Sequence, residues 1–380
     1  MSPPTSTLLA LSDAAESVEP TESAPASLII VPPPADLAPF VEYVWQLLLA
    51  ADTPSDACWR VVADGYVDLS VRIPLDAEPL RAVLASPGSA VARHNALDVL
   101  ASSPAVICGA ATASRALPMG RPLLITGARF RLGAAAGVLR HSAAAVVDGA
   151  YALGDVLDGR LAGDVSRARA DEAARRANGC GGNADADEAS ARTAMRVLAR
   201  ETVHAAVRRL VARAESRRRS GNAADPRVCG ALALLDRSSG DASAAEPGAA
   251  QVAEVCRTLG VSKRTLERLF ADQVGFAPRT YQRLRRVGAV AEELERARRE
   301  TNAVQIPGRI APRADTLSDI AHRLGYTDHA HMTREFGRVM GVTPSTYRGE
   351  ARDTPVARHI GLVAFDRTTP VGTVGRLSAA

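Results

Sequence analysis

Apolar residues change their spacing along this chain. In the N-terminal part they recur at every second position. Val67, Leu69, Val71 and Ile73 alternate with Asp68, Ser70 and Arg72, which is the period of a half-buried strand. The run ACWRVVA, then Asp64-Gly65, then YVDLSVRI predicts a β-hairpin, because Asp-Gly accepts the positive φ angles of a tight turn. AVICGA (105–110) and PLLITGARFRL (122–132) predict further strands. Alanine-rich helical pieces follow from Gly133 to about Leu157. From Thr202 to Arg213 the period becomes helical, with Val203, Ala206, Val207, Leu210 and Val211 on one face. Asp225-Pro226 then predicts an N-cap and first-turn proline for a helix reaching about Asp236.

Where periodicity fails, boundaries are expected. Residues 1–27 are rich in Ser, Thr, Pro, Ala and Glu and read as a disordered tail. A β-rich domain is expected over 28–157. Residues 158–201 hold Ala, Arg, Asp and Gly around NGCGGNADAD and read as a low-complexity, flexible insertion. The glycines there have no strand before them and no Lys-Ser/Thr after them, so they do not make a phosphate loop. Residues 202–248 are expected as a helical connector and linker, 249–350 as a second structured domain, and 351–380 as a C-terminal tail in which HIGLVAF offers one short strand.

The second domain repeats itself. LGVSKRTLERLFADQVGFAPRTY (259–281) aligns with LGYTDHAHMTREFGRVMGVTPSTY (324–347). Arg268, Phe270, Gly275, Pro278 and Tyr281 match Arg334, Phe336, Gly341, Pro344 and Tyr347. Upstream, VAEVCRTLG matches LSDIAHRLG. Each copy predicts a helix, a glycine turn and a second helix. In the first copy Gly260 ends the leading helix and Ser262 caps the next. Leu266, Leu269 and Phe270 share one face of that helix, and Arg264, Arg268 and Ala271 point the opposite way. In the second copy Asp328 takes the cap position, with Met332, Phe336 and Val339 buried. Ala330, Arg334 and Gly337 then point outward, flanked by His329 and Thr333. A short helix with one buried face and arginines opposite is what a helix-turn-helix inserts into a major groove.

Charge supports the same region. The chain of 380 residues has a net charge of +4. Residues 249–350 hold 17 Lys/Arg and 12 Asp/Glu, so the basic excess lies there, which permits a nucleic-acid partner without proving one. The five cysteines are dispersed and form no CxxC pair, which excludes a disulfide framework or structural zinc site and suits a reducing cytoplasm. No signal peptide is legible, and no apolar run approaches the roughly 20 residues of a membrane span. The expected location is cytoplasmic.

The tandem units resemble the DNA-binding domain of the AraC/XylS family of transcription regulators, over about 100 residues. The resemblance rests on the Gly-aromatic turn, the HMTREF helix and the Gly-x-x-Pro-x-x-Tyr-Arg ending. It implies an α+β protein, in which a β-rich N-terminal domain precedes an all-α tandem helix-turn-helix domain. It further implies a long helix from about Arg279 to Arg299 between the units. By position in the family pattern, Arg264, Glu267 and Arg268 of the first unit would contact bases, and His329, Ala330, Thr333 and Arg334 of the second. Glu267 either accepts from cytosine N4 or pairs with Arg264 or Arg268. Lys263, Arg279 and Arg348 are the expected phosphate contacts. ETNAVQIPGRIAPRAD (300–315) is longer than the family's usual connection and is expected to loop out. The segments FVEYVW, WRVVADGYVDL, VICGA, GARFRLGAA and YALGDVL resemble an uncharacterised domain found upstream of such units. The implied roles for it are effector sensing or dimerisation. Candidate partners are therefore double-stranded DNA, RNA polymerase, a small-molecule effector and a second copy of the chain, with no membrane. No cofactor is implied.

Other chemistry finds little support. His322, His329 and His331 cluster, but positions two apart on a helix project about 200° apart and cannot chelate together. No metal ligand set and no catalytic residue is expected. Asp64 reads as a turn residue. Trp45, Trp59 and Tyr66 either pack a core or line an effector pocket. Cys256 reads as an inert thiol on a buried helix stripe, and Arg217-Arg218-Arg219 as a solvated run. An alternative from another class is an enzyme or DNA-repair-type protein whose N-terminal domain does the chemistry while the helix-turn-helix units only target it. Non-specific architectural binding is a third reading.

Overall fold

The structure is a computed structural model. It describes residues 26–49, 58–75, 104–118, 123–139, 141–157, 159–179, 188–215, 224–238, 249–303, 315–350 and 362–365. The larger sheet contains β1 (Ala26–Val31), β2 (Val41–Leu49), β4 (Asp68–Pro74), β5 (Ala105–Cys108), β7 (Leu123–Phe130) and β8 (Ala150–Ala152), in the order β1-β2-β7-β4-β5-β8. All its neighbours are antiparallel. A smaller sheet joins β6 (Arg115–Pro118), β3 (Cys58–Val61) and β9 (Leu362–Phe365), so the HIGLVAF strand is present. Most of the expected 1–27 tail lies outside the described residues, and β1 starts at Ala26.

The expected hairpin does not form. β3 pairs with β6 and β9, whereas β4 pairs with β7 and β5. Asp64-Gly65 does turn the chain: Gly65 has φ +79°, and the Tyr66 N–H donates to the Asp64 carboxylate at 3.1 Å. Beyond this turn the chain crosses from the smaller sheet to the larger one. The reason is Arg129 on β7, which lies opposite Asp68 in the register. Its Nη1 sits 2.6 Å from Asp64 and its Nη2 2.8 Å from Asp68, and its Nε donates to Asp68 at 3.1 Å. The Trp45 indole N–H donates to the same Asp68 carboxylate at 3.2 Å. The Arg129 guanidinium lies over the Tyr66 and Tyr43 rings, 4.7 and 5.5 Å from their centroids. These buried partners draw β4 onto β7. They also bury polar positions that strand alternation assigns to solvent, so Asp68 and Ser70 are buried alongside Leu69 and Val71.

Helices cover the sheet. After α1 (Ala135–Leu139), a 3₁₀ turn (Ala143–Val146) and α2 (Leu153–Val156) come two long helices, α3 (Gly159–Gly179) and α4 (Glu188–Glu215). The flexible insertion expected over 158–201 is therefore mostly helix. Its alanines and arginines are strong helix formers, and Val165, Ala199, Val203, Ala206, Val207 and Leu210 give the pair a buried seam. Residues 180–187, which carry the glycine cluster, lie outside the described residues. Gln46 on β2 donates to the Arg196 carbonyl of α4 at 2.7 Å, tying this layer to the sheet. The connector helix is α5 (Pro226–Ser238), and the Asp225 carboxylate accepts the Arg227 N–H at its start. Of the proposed linker, residues 239–248 lie outside the described residues, as do 216–223 with the Arg217–Arg219 run.

Candidate nucleic-acid interface

Two similar helix pairs make up the C-terminal part. The first is α6 (Ala249–Leu259) and α7 (Lys263–Gln273), and the second is α9 (Leu317–Arg323) and α10 (His329–Met340). Between them runs α8 (Pro278–Ala303), and α11 (Pro344–Glu350) closes the second unit. Gly260 and Gly325 make the two turns with φ of +63° and +71°. Ser262 accepts the Thr265 N–H at 3.1 Å and Asp328 accepts the His331 N–H at 2.6 Å, each capping the second helix of its unit.

The repeated aromatic positions have one job in both units. Phe270 meets Tyr281 edge to face at 6.4 Å, and Phe336 meets Tyr347 at 5.5 Å. Each tyrosine hydroxyl then donates to a carboxylate, Tyr281 to Asp236 at 2.7 Å and Tyr347 to Glu295 at 2.9 Å. Burial and the neighbouring Asp236 push the Tyr281 hydroxyl well above its usual range, so it stays a donor. The Phe270–Tyr281 pair thus anchors α7 to α8, and the Phe336–Tyr347 pair anchors α10 to α11, whose Tyr347 hydroxyl is tied to Glu295 of α8. Leu266, Leu269 and Phe270 are buried in one, and Met332, Phe336, Val339 and Met340 in the other.

The opposite faces are open. Lys263, Arg264, Glu267 and Arg268 are exposed together on α7. His329, Ala330 and Arg334 are exposed on α10, and Arg279 at the start of α8. Thr333 is half-buried with its hydroxyl shielded. Arg348 is also half-buried, with Nε and Nη2 shielded. Glu267 lies 3.8 Å from Lys263, a partner other than the two arginines expected. The histidines do not converge. The His331 ring packs edge to face on Tyr326 at 5.4 Å, while His322 and His329 face solvent.

One latch went unread in the sequence. Glu335 on α10 accepts Arg286 of α8 at 3.0 and 3.2 Å and the Tyr326 hydroxyl at 3.1 Å. Arg286 also stacks 4.9 Å over the Tyr326 ring. Beside Arg334, Glu335 looks like one more solvated charge, and no local signal marks its partner 49 residues away.

Two helix-turn-helix units on one shared helix, each with an open polar and basic face, define a tandem helix-turn-helix protein. Comparison with known proteins agrees. Residues 30–151 match a domain of unknown function, DUF6597. The chain is 33% identical over 126 residues to a putative AraC-like transcription regulator of Streptomyces lividans, covering 33% of this chain and 34% of that protein. It is 33% identical over 101 residues to the HTH-type transcriptional regulator Rv1931c of Mycobacterium tuberculosis, covering 27% of this chain and 33% of that one. The chain spans about a third of the length of these curated relatives. Among solved structures, ToxT from Vibrio cholerae aligns over 85% of this chain and 97% of its own at 9% identity, with a TM-score of 0.29, too low to carry an argument. The resemblance to AraC-like regulators read from the repeat therefore holds. Among the described residues no helix is long and apolar enough to cross a membrane.

Proposed function

We propose that this chain is a sequence-specific DNA-binding transcription regulator that acts as an activator. Its α7 and α10 helices would enter adjacent major-groove segments of a promoter. The observation that carries the reading is the matched pair of helices. Both are capped, both are anchored to the helix that follows them through a Phe–Tyr pair, and both hold arginines on the open side. Arg264, Glu267, Arg268, His329, Ala330, Thr333 and Arg334 would meet base edges, Thr333 after its hydroxyl is uncovered. Arginine donates to guanine O6 and N7 together. Lys263 and Arg279 would hold phosphates and make affinity fall with salt, and Arg348 would join them by swinging out. Residues 28–157 would sense an effector or dimerise, and 202–248 would connect that domain to the DNA-binding part at 249–350. RNA polymerase would be the further partner, in the cytoplasm.

Selection of bound sites from a random DNA pool tests this directly. Enrichment of one sequence supports it, and a specificity ratio near one points to architectural binding instead. Arg334→Ala is expected to weaken binding to the selected site by about 1–3 kcal/mol and to relax preference at one position. An equal loss on selected and random DNA would reduce Arg334 to a phosphate anchor.

A further inference from the structure

The last four carbonyls of a helix have no partner within it. In both proposed recognition helices a donor from the N-terminal domain reaches one of them. At the end of α7, the Ser142 hydroxyl donates to the Ala271 carbonyl at 3.4 Å. The 3₁₀ turn behind Ser142 presses on Gly275, where an added Cβ would stand 2.7 Å from Val147 Cγ2 and 3.2 Å from the Ala143 carbonyl. At the end of α10, the Ser114 backbone N–H donates to the Val339 carbonyl at 2.7 Å. The Ser114 hydroxyl reaches Met340 Sδ at 3.5 Å and is itself held by the Ala63 N–H at 3.2 Å.

These two prongs are one piece. The Asp148 carboxylate accepts the Thr112 N–H at 2.7 Å and the Thr112 hydroxyl at 2.5 Å. The Asp148 N–H donates to the Ala110 carbonyl at 3.0 Å, and the Gly109 N–H donates to the Gly149 carbonyl at 2.9 Å. The approach is so close that a Cβ at Gly109 would fall 1.5 Å from the Val146 carbonyl. Asp148 has φ +56°, the only positive φ outside glycine among the described residues. Such a conformation persists only where the surroundings hold it.

We propose that segments 109–114 and 142–149 form a two-pronged clamp that fixes the separation of α7 and α10. Asp148 and Thr112 are its positioning residues. The clamp sets the spacing at which two DNA segments are read, which rests on the proposed regulator function. The clamp itself does not depend on DNA and can be tested without it.

Hydrogen exchange on the full chain, free of DNA, makes the test. Thr112→Val removes the hydroxyl, and Asp148→Gly removes the carboxylate while accepting the backbone angle. Each is expected to speed exchange several-fold at the closing amides of both helices, Val274 and Gly275 in one and Gly341 in the other. Thr112→Ser, which keeps the hydroxyl, is expected to match the parent chain. Unchanged exchange, or loosening at one helix alone, overturns the clamp. A second arm measures binding to a selected site and to versions with one base pair added or removed between the two contacted segments. The parent is expected to discriminate spacing several-fold more sharply than Thr112→Val, and equal discrimination overturns the spacing role. If the parent selects no DNA at all, the proposed function fails while the exchange result still decides the clamp.

Discussion

Arg129 shows how much one buried charge can decide. Two carboxylates and two tyrosine rings surround it, and burial pushes the neighbouring Asp64 and Glu42 carboxyls up against the pull of its charge. Removing one member of such a group strands the others in a dry site. Arg129→Met is therefore expected to destabilise the fold by about 3–5 kcal/mol in urea unfolding, and a loss below about 1 kcal/mol would show that water reaches the cluster. The sequence announced a strand at PLLITGARFRL and nothing of this role, because the partners Asp64 and Asp68 lie more than sixty residues away. Trp45 and Tyr66, read there as core or pocket, turn out to serve this cluster, while the Trp59 side chain lies outside the described residues.

Elements differ in how plainly the sequence speaks. Caps and turns at Ser262, Asp328, Gly260 and Gly325 were legible because each is decided within three or four residues. The pairing of β3 was not, since a turn signal says that the chain bends and not which strand it then meets. The stripe from Thr202 to Arg213 showed the second half of α4, but α3 and the first half of α4 were hidden for another reason: alanine and arginine without a strong apolar stripe resemble a linker until tertiary packing supplies the seam. Glycines in helical units make the local rules testable. Gly260 and Gly288 both have open space where a Cβ would go, so only the backbone separates them. Gly288→Ala, inside α8, is expected to stabilise by about 0.5–1 kcal/mol. Gly260→Ala, at φ +63°, is expected to lose about 1–2 kcal/mol. Thermal melts of the two variants should move in opposite directions.

At the scale of the whole molecule, ion pairs, one of them spanning 172 residues, give stability an acid limb. Arg208 on α4 holds Asp36, ahead of β2, below its usual range, and Arg323 does the same for Asp315. A carboxyl lowered from 3.8 in the fold adds stability above that value and loses it as pH falls through the folded one. Asp64 and Glu42, raised by burial, carry the opposite slope, adding stability at low pH and losing it as pH rises through their folded values. The urea midpoint of an Asp36→Asn, Asp315→Asn double variant is thus expected to lie below the parent's at neutral pH and to converge with it below about pH 4. A constant gap across that range would remove these pairs from the acid response. Asp315 also belongs to a cluster in which Arg296 and Arg323 share Glu293 and Asp315 at 2.6–3.3 Å. Of the loop-out expected over 300–315, residues 300–303 instead continue α8 and 304–314 lie outside the described residues, yet its re-entry point at Asp315 is pinned to α8, the helix it leaves at Ala303. A flexible insert spliced between these two held ends would itself cost about 0.6 kcal/mol of loop closure per doubling of its length. That makes this connection a port, where a fluorescent reporter could be spliced between the two units while each keeps its seat.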